Sequence, residues 1–223
     1  MLHCHVAFVP ITHDFIDFFA PGENTFAALS KNLWYGYTEE ISPEIYQSEL
    51  NWRKSGVPYT MILQNGRVCD LVPVRKKHKR EVWDNPEHAI RALAAMAVHD
   101  INVWGHNANR ETINKFWRIR RELNIDDVVD YHGYWNSSVV KSASPKVYRG
   151  WYEWQPANPY RRVLIVSNFN RTPVPAALEI DWKELGVEPP AQFRDLWNNR
   201  GLSADELSKT IIPGAHFMLI GIK

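Results

Sequence analysis

The chain has 223 residues, of which 45% are apolar, 23% charged and 13% aromatic, a mix that fits a globular protein and excludes disorder and collagen-like repetition. Lys plus Arg number 26 against 25 Asp plus Glu, a net charge of +1; this argues against a general nucleic-acid binder or a polybasic membrane-surface protein, both of which draw affinity from a large positive excess. No apolar run approaches the roughly 18 residues that cross a bilayer, and the two cysteines, Cys4 and Cys69, are too few for a disulfide framework or a cysteine zinc site.

From His3 to about Asn124 short apolar runs alternate with helix-like segments. His3 to Ile11, Asp17 to Ala20, Val57 to Leu63 and Ile101 to Trp104 are predicted strands, each bounded by Pro, Gly or polar residues. Asn24 to Leu33 reads as a helix. Ser42-Pro43-Glu44 and Asn85-Pro86 read as helix starts with a cap and a first-turn proline, and the stripe Ile90, Leu93, Ala94, Ala97 follows the second at helical spacing. Asn109 opens a last helix, with Ile113, Phe116, Trp117 and Leu123 available to one buried face.

After Asp130 the pattern changes to closely spaced strands: Lys146 to Trp154, Arg161 to Phe169, Val174 to Trp182, Gln192 to Trp197, Leu207 to Ile212 and His216 to Ile222. Ala176, Leu178, Ile180 and Trp182 alternate with Ala177, Glu179 and Asp181, the period of a strand with one buried face. The expectation is an α/β portion over residues 1–130, of about four β/α units, followed over 131–223 by an all-β portion, an antiparallel sandwich.

The block from Asp17 to Asn24 ends a short strand at Pro21-Gly22 and places Glu23 just before a helix cap. In a β/α architecture that position is the carboxyl mouth of the sheet, where active residues collect. Glu23 with Asp17, or with Asp14, could act as acid and base or as acid and stabiliser of a cationic sugar. Alternatively, Glu23 is a first-turn carboxylate favoured by the helix dipole. His3 and His5 leave one face of a strand. They could bind a divalent metal, as in a metal-dependent hydrolase, but no closed ligand spacing accompanies them, and the expected role is pocket lining without metal or cofactor. Trp104 and His106 follow the last strand of the α/β portion and would suit the apolar face and hydroxyls of a sugar. Tyr131, His132, Tyr134 and Trp135 form a second aromatic group, which either joins the two portions or meets ligand. The basic run Arg75 to Arg80 reads as a solvated loop, and Asn170-Arg171-Thr172 fits an N-glycosylation acceptor that such short triplets often mimic by chance.

With His5, the Asp17 to Glu23 block, the Gly56-Val57-Pro58 strand, Gly133-Tyr134-Trp135, Ser167-Asn168 and Ile180-Asp181-Trp182 in this order, the chain resembles the C-terminal portion of large bacterial glycoside-hydrolase-like proteins related to the (β/α)8-barrel glycosidases. The resemblance implies part of a TIM barrel followed by an accessory β-sandwich. It implies Glu23 and then Asp17 as catalytic carboxylates, with His5 and Trp104 as substrate contacts and His106, Tyr134 and Trp135 added from the residue pattern. A closed barrel of this class has eight strands, so about four units predict a fragment, with either self-association or a missing N-terminal half-barrel to cover the open sheet. The expected partner is a glycan, with neither nucleic acid nor membrane. A non-catalytic carbohydrate-binding or assembly module is the alternative. No export signal is legible near Met1, and a secreted or periplasmic location follows only if the chain continues a longer precursor.

Overall fold

The computed structural model describes residues 3–4, 18–19, 26–47, 60–64, 69, 79–125, 130–153, 159–187 and 191–223. The chain divides into two compact units, Met1–Ile113 and Asn114–Lys223.

The first unit is helix-rich with parallel strand pairs. Strands β1 (His3–Cys4) and β2 (Phe18–Phe19) pair in parallel. Helices α1 (Phe26–Lys31), α2 (Gly36–Glu39) and α3 (Pro43–Ile45) follow. Then come β3 (Thr60–Ile62), α4 (Lys79–Trp83), α5 (Pro86–Ala97) and β4 (Asn102–Trp104). Strands β3 and β4 are parallel neighbours, Met61 opposite Val103, and both side chains are buried. Parallel neighbours need a crossover connection, and α5 supplies it. It begins where the sequence predicts: the Asn85 side chain accepts from the Glu87 amide at 3.0 Å, with Pro86 in the first turn. Its end is set by Asp100, which adopts a left-handed φ of 55°, and the Ile101 amide then donates to the Met96 carbonyl at 2.9 Å. Helix α5 therefore runs back against β4, with its N-terminus at the carboxyl end of the strand. Helix α6 (Arg110–Glu122) begins in the first unit and continues into the second.

The second unit is mostly antiparallel sheet. Its elements are β5 (Asp130–Gly133), β6 (Val140–Ser142), β7 (Val147–Glu153), β8 (Arg162–Asn168), β9 (Val174–Pro175), β10 (Leu178–Ile180), α7 (Trp182–Leu185), β11 (Phe193–Asp195), β12 (Arg200–Leu202), α8 (Ala204–Lys209), β13 (Ile211–Ile212) and β14 (Phe217–Ile222). Six strands form one sheet in the order β12-β11-β14-β8-β7-β5, while β10 pairs with β6 and β13 with β9. On one face Trp151, Leu164, Val166, Met218, Ile220 and Ile222 join a single core with Val140, Leu178, Leu185, Leu207 and Ile212 from the short ladders and helices. On the other face Phe116 of α6 meets Phe217 edge-on, centroids 6.3 Å apart, and an Arg120 Nη1 donates to the Tyr152 hydroxyl at 3.4 Å. Strand β8 is thus covered on both sides, which is why Val163 to Val166 is an unbroken apolar run.

Two predicted strands are more complex than their alternation implies. Val174 to Trp182 is split by Ala177, whose φ of 45° interrupts the extended chain, and it ends at Asp181, whose side chain caps α7 by accepting from the Glu184 amide at 3.0 Å. Leu207 to Ile212 is half helix: Ser203 and Glu206 cap each other's backbone amides in a capping box and start α8. Only Ile211–Ile212 remains strand.

Gly133 and Gly150 face each other in the β5–β7 ladder. A Cβ at Gly150 would overlap the Tyr131 hydroxyl, and one at Gly133 would overlap the Trp135 ring. The two glycines are the floor on which these rings lie. Gly150→Ala is expected to displace Tyr131 and lower stability by about 1–3 kcal/mol, the usual result of overpacking. A urea midpoint equal to wild type would show that the ring moves without penalty.

Candidate functional site

The carboxyl end of the β3–α5–β4 unit is a rim assembled from several elements. The Leu63 amide extends the ladder by donating to the Trp104 carbonyl at 3.3 Å. The next residue, Gln64, donates its amide to the Tyr37 hydroxyl at 3.0 Å, and Tyr37 is itself held because its carbonyl accepts from the Tyr46 hydroxyl at 2.7 Å. Gln64 is 1% exposed, yet its Oε1 has no hydrogen-bond partner among the described residues. A buried acceptor without a donor is unfavourable. Beside it Trp104 ends β4 at 40% exposure, which is unusual for the largest apolar side chain at the end of a core strand.

Past Trp104 the chain makes a 3-10 turn, Gly105–Asn107. Gly105 lies so close to Ile113 that a Cβ would meet that side chain at 2.7 Å, which seats the turn against the start of α6. Asn109 caps α6, its Oδ1 accepting from the Thr112 amide at 3.0 Å and the Thr112 hydroxyl at 2.8 Å. Its Nδ2 donates to the Asp84 carbonyl at 2.9 Å. This bond ties the start of α6 to the residues just before α5, so both helix N-termini lie on the rim. Trp83, the last residue of α4, stands next to this junction at 36% exposure.

Behind the rim the helices are fixed by buried imidazoles. His88 on α5 directs Nε2 at the Leu33 carbonyl, and His99 directs Nδ1 at the Ala95 carbonyl at 2.7 Å. A carbonyl only accepts, so each of those nitrogens carries the proton. His99 also stacks on Tyr46 at 4.7 Å. Burial holds both imidazoles neutral, lowering each pKa to about 4, with the carbonyl hydrogen bonds opposing only part of the shift. The Arg91 guanidinium lies over the Tyr35 ring, 4.6 Å from its centroid, and anchors α5 to the turn before α2.

A second aromatic group stands in the sheet-rich unit. Tyr134 and Trp135, in the turn after β5, meet edge-on at 5.0 Å; Tyr134 also lies 4.6 Å from Tyr148, and Trp135 lies 5.9 Å from Tyr131. Arg149 places its guanidinium 5.9 Å from the Tyr134 centroid while its Nε donates to the Val140 carbonyl at 2.8 Å. Partial burial lowers its pKa. His132 stacks on Trp151 at 3.9 Å, with Nε2 3.5 Å from Glu153, which also pairs with Arg162 at 3.0 Å. Tyr131, Tyr134 and Trp135 are half-buried.

Of the predicted site residues, Trp104 and His106 fall on the rim of the first unit, His106 within the 3-10 turn. Tyr134 and Trp135 fall together in the second unit. Glu23, Asp17, Asp14 and His5 lie outside the described residues, as do residues 75–78 of the basic run. Sequence reasoning passes over Gln64 and Trp83. The only signals for them are that Gln64 is the first polar residue after the Val57 to Leu63 run and that Trp83 lies just before the Asn85-Pro86 helix start. Among the described residues no group of three or more His, Cys, Asp or Glu side chains could hold a metal ion, and no helix is long and apolar enough to cross a membrane. No protein-family model, curated protein or solved structure matches the chain.

Proposed function

We propose that the protein is a carbohydrate-active protein of the glycoside-hydrolase type, whose α/β portion is part of a (β/α) barrel and whose glycan site is the rim described above. The observation that carries this reading is the exposed Trp104 at the carboxyl end of a parallel β3–α5–β4 unit. A flat indole meets the apolar face of a sugar, and polar groups around it orient the hydroxyls. The carboxyl ends of parallel strands are where α/β folds bind ligands. In this reading Glu23 acts as the catalytic acid and Asp17 as its carboxylate partner, with His5 and His106 meeting hydroxyls.

The half-buried rings of Tyr131, Tyr134 and Trp135 favour a second reading, glycan binding without turnover, because such rings hold sugars with no carboxylate chemistry. Turnover of aryl glycosides by wild type, Glu23→Gln and Trp104→Ala separates the two. The hydrolase reading expects Glu23→Gln to lower kcat by about 10²–10⁴-fold, the usual worth of a positioned acid. It expects Trp104→Ala to raise KM about tenfold, equivalent to about 1.4 kcal/mol of lost contact. Glycan binding with no turnover in wild type would leave the binding module. An active Glu23→Gln would remove that residue from catalysis.

A further inference from the structure

The sheet-rich unit arranges its own rings beside a cation that has no counter-charge. Gly133 and Gly150 oppose each other in the β5–β7 ladder, and a Cβ built on Gly133 would be nearly equidistant from Cζ2, Cη2 and Cζ3 of Trp135. Similar distances to three successive ring atoms mean that the indole lies flat on the sheet, so one face covers Gly133 and the other points away from the strands. Tyr134 meets this ring edge-on at 5.0 Å, and its centroid is 5.9 Å from the Arg149 guanidinium. Ring and cation therefore lie within the span of a short oligosaccharide. Arg149 is held in place because its Nε donates to the Val140 carbonyl at 2.8 Å. Among the described residues neither Nη donates a hydrogen bond and no Asp or Glu pairs with the guanidinium. The side chain is half-buried, and that burial disfavours its charge. A guanidinium that is fixed, partly desolvated and without an anion is unfavourable by itself and preorganised for one.

We infer that the sheet-rich unit carries a glycan site of its own, which takes a sugar bearing a carboxylate: the apolar face of a sugar ring stacks on Trp135, and the carboxylate accepts from the Nη atoms of Arg149. This rests on the glycan reading and names the sugar class for the aromatic group of the second unit. The indole alone accepts the apolar face of many sugars. The guanidinium selects among them, because its planar fork matches a carboxylate with two parallel hydrogen bonds that a neutral sugar cannot return with charge. The glycines have a part in this: any Cβ at Gly133 would lift the indole and turn its face. A nucleic acid also meets rings and cations, but one arginine in a near-neutral chain lacks the broad positive surface that drives such binding. A single cation beside a flat ring matches a ligand with one charge on each sugar.

Matched trisaccharides test this by calorimetry and ligand-observed NMR on the full chain. Trimers of galacturonate, glucuronate and mannuronate are compared with their methyl esters and with neutral trimers of galactose, glucose and mannose; triglutamate is the non-sugar arm. At least one acid trimer is expected to bind about ten-fold or more tightly than its ester, the usual worth of a hydrogen bond to a charged group. Arg149→Gln, which keeps a donor for the Val140 carbonyl but no charge, should abolish that difference. Trp135→Ala should weaken acid and ester alike by about five-fold, the scale of a lost ring contact, and Trp135→Phe by less. Circular dichroism melts confirm that the variants fold. Acid and ester bound equally by wild type, with Trp135 still required, would overturn the carboxylate assignment and leave the glycan reading intact. Uronate binding lost in Trp104→Ala but kept in Trp135→Ala and Arg149→Gln would overturn this site in favour of the rim. Triglutamate bound as tightly as the best uronate would overturn the sugar assignment in favour of general carboxylate binding. Neutral trimers bound with no uronate bound would overturn this site alone, whereas no binding to any trimer would remove the glycan reading with it.

Discussion

Lowering the pH from 7 to about 4.5 is expected to destabilise the helix-rich unit steeply, because His88 and His99 are buried as neutral imidazoles. Burial holds each at a pKa of about 4 in the folded chain, against the ordinary 6.5 of an exposed imidazole. Below pH 6.5 the unfolded chain takes up protons that the folded chain refuses, so stability is complete above that pH and falls as the pH drops toward 4. One unit of pKa difference corresponds to 1.36 kcal/mol, so each histidine can remove up to about 3 kcal/mol by the low end of the window. Together they match much of the 5–15 kcal/mol that typically holds a domain. Below about pH 4 the folded imidazoles also protonate and this slope ends.

The exposed carboxylates act in a different window. Glu44 and Glu206 have lowered pKa values through hydrogen bonds to their own or a neighbouring backbone and to Ser42 and Ser203. Their stabilisation disappears only as the pH falls through the carboxylate range. Urea midpoints at pH 7.5, 6.5, 5.5 and 4.5 for wild type and His99→Gln therefore isolate the imidazole term. The variant should be less stable at pH 7.5 and lose stability less steeply between 6.5 and 4.5. Parallel curves for the two proteins would show that His99 opens to solvent before it titrates.

How much was legible in the sequence depends on how local the signal is. Helix α5 follows from Asn85-Pro86 and its alanine-rich stripe because cap, proline and period act within a few residues. The change from helix-rich to antiparallel sheet-rich chain is readable for the same reason. Strands β5, β6 and β12 are not read as strands, since Asp-Tyr-His-Gly, Val-Lys-Ser and Arg-Gly-Leu have little alternation and are strands only because a longer partner lies beside them. The helix α8 was open to recognition from Ser203 and Glu206, but the apolar residues that follow carried the prediction toward strand. At the rim, Trp104 is visible because a large residue ends a strand. Gln64 is not, because its orphaned acceptor is a property of the packing around it.

Replacing Asn168 by alanine is expected to cost the sheet-rich unit about 3 kcal/mol, a loss of several buried hydrogen bonds with polar groups left unpaired. Asn168 closes β8 and is fully buried. Its Nδ2 lies 2.9 Å from the Thr172 carbonyl and 3.0 Å from each of the Ile212 and Pro213 carbonyls, while its Oδ1 accepts from the Asn170 amide at 2.8 Å and from Asn170 Nδ2 at 2.9 Å. One side chain thus joins the end of β8, the 170–172 turn and the connection from β13 to β14. Asn168→Asp keeps the shape but replaces the donating Nδ2 with an accepting oxygen, which puts a negative charge against three carbonyl oxygens. It should therefore be at least as destabilising as alanine, the opposite of what shape alone predicts. The same network bears on Asn170, whose Nδ2 donates both to Asn168 and, at 2.8 Å, to the Pro145 carbonyl. A glycan on that nitrogen would leave it one hydrogen and break one of these bonds, so modification of the folded chain at Asn170 is disfavoured. Urea midpoints for Asn168→Ala and Asn168→Asp settle the hub: an aspartate variant as stable as wild type would mean that the carbonyl cluster is not what holds this residue.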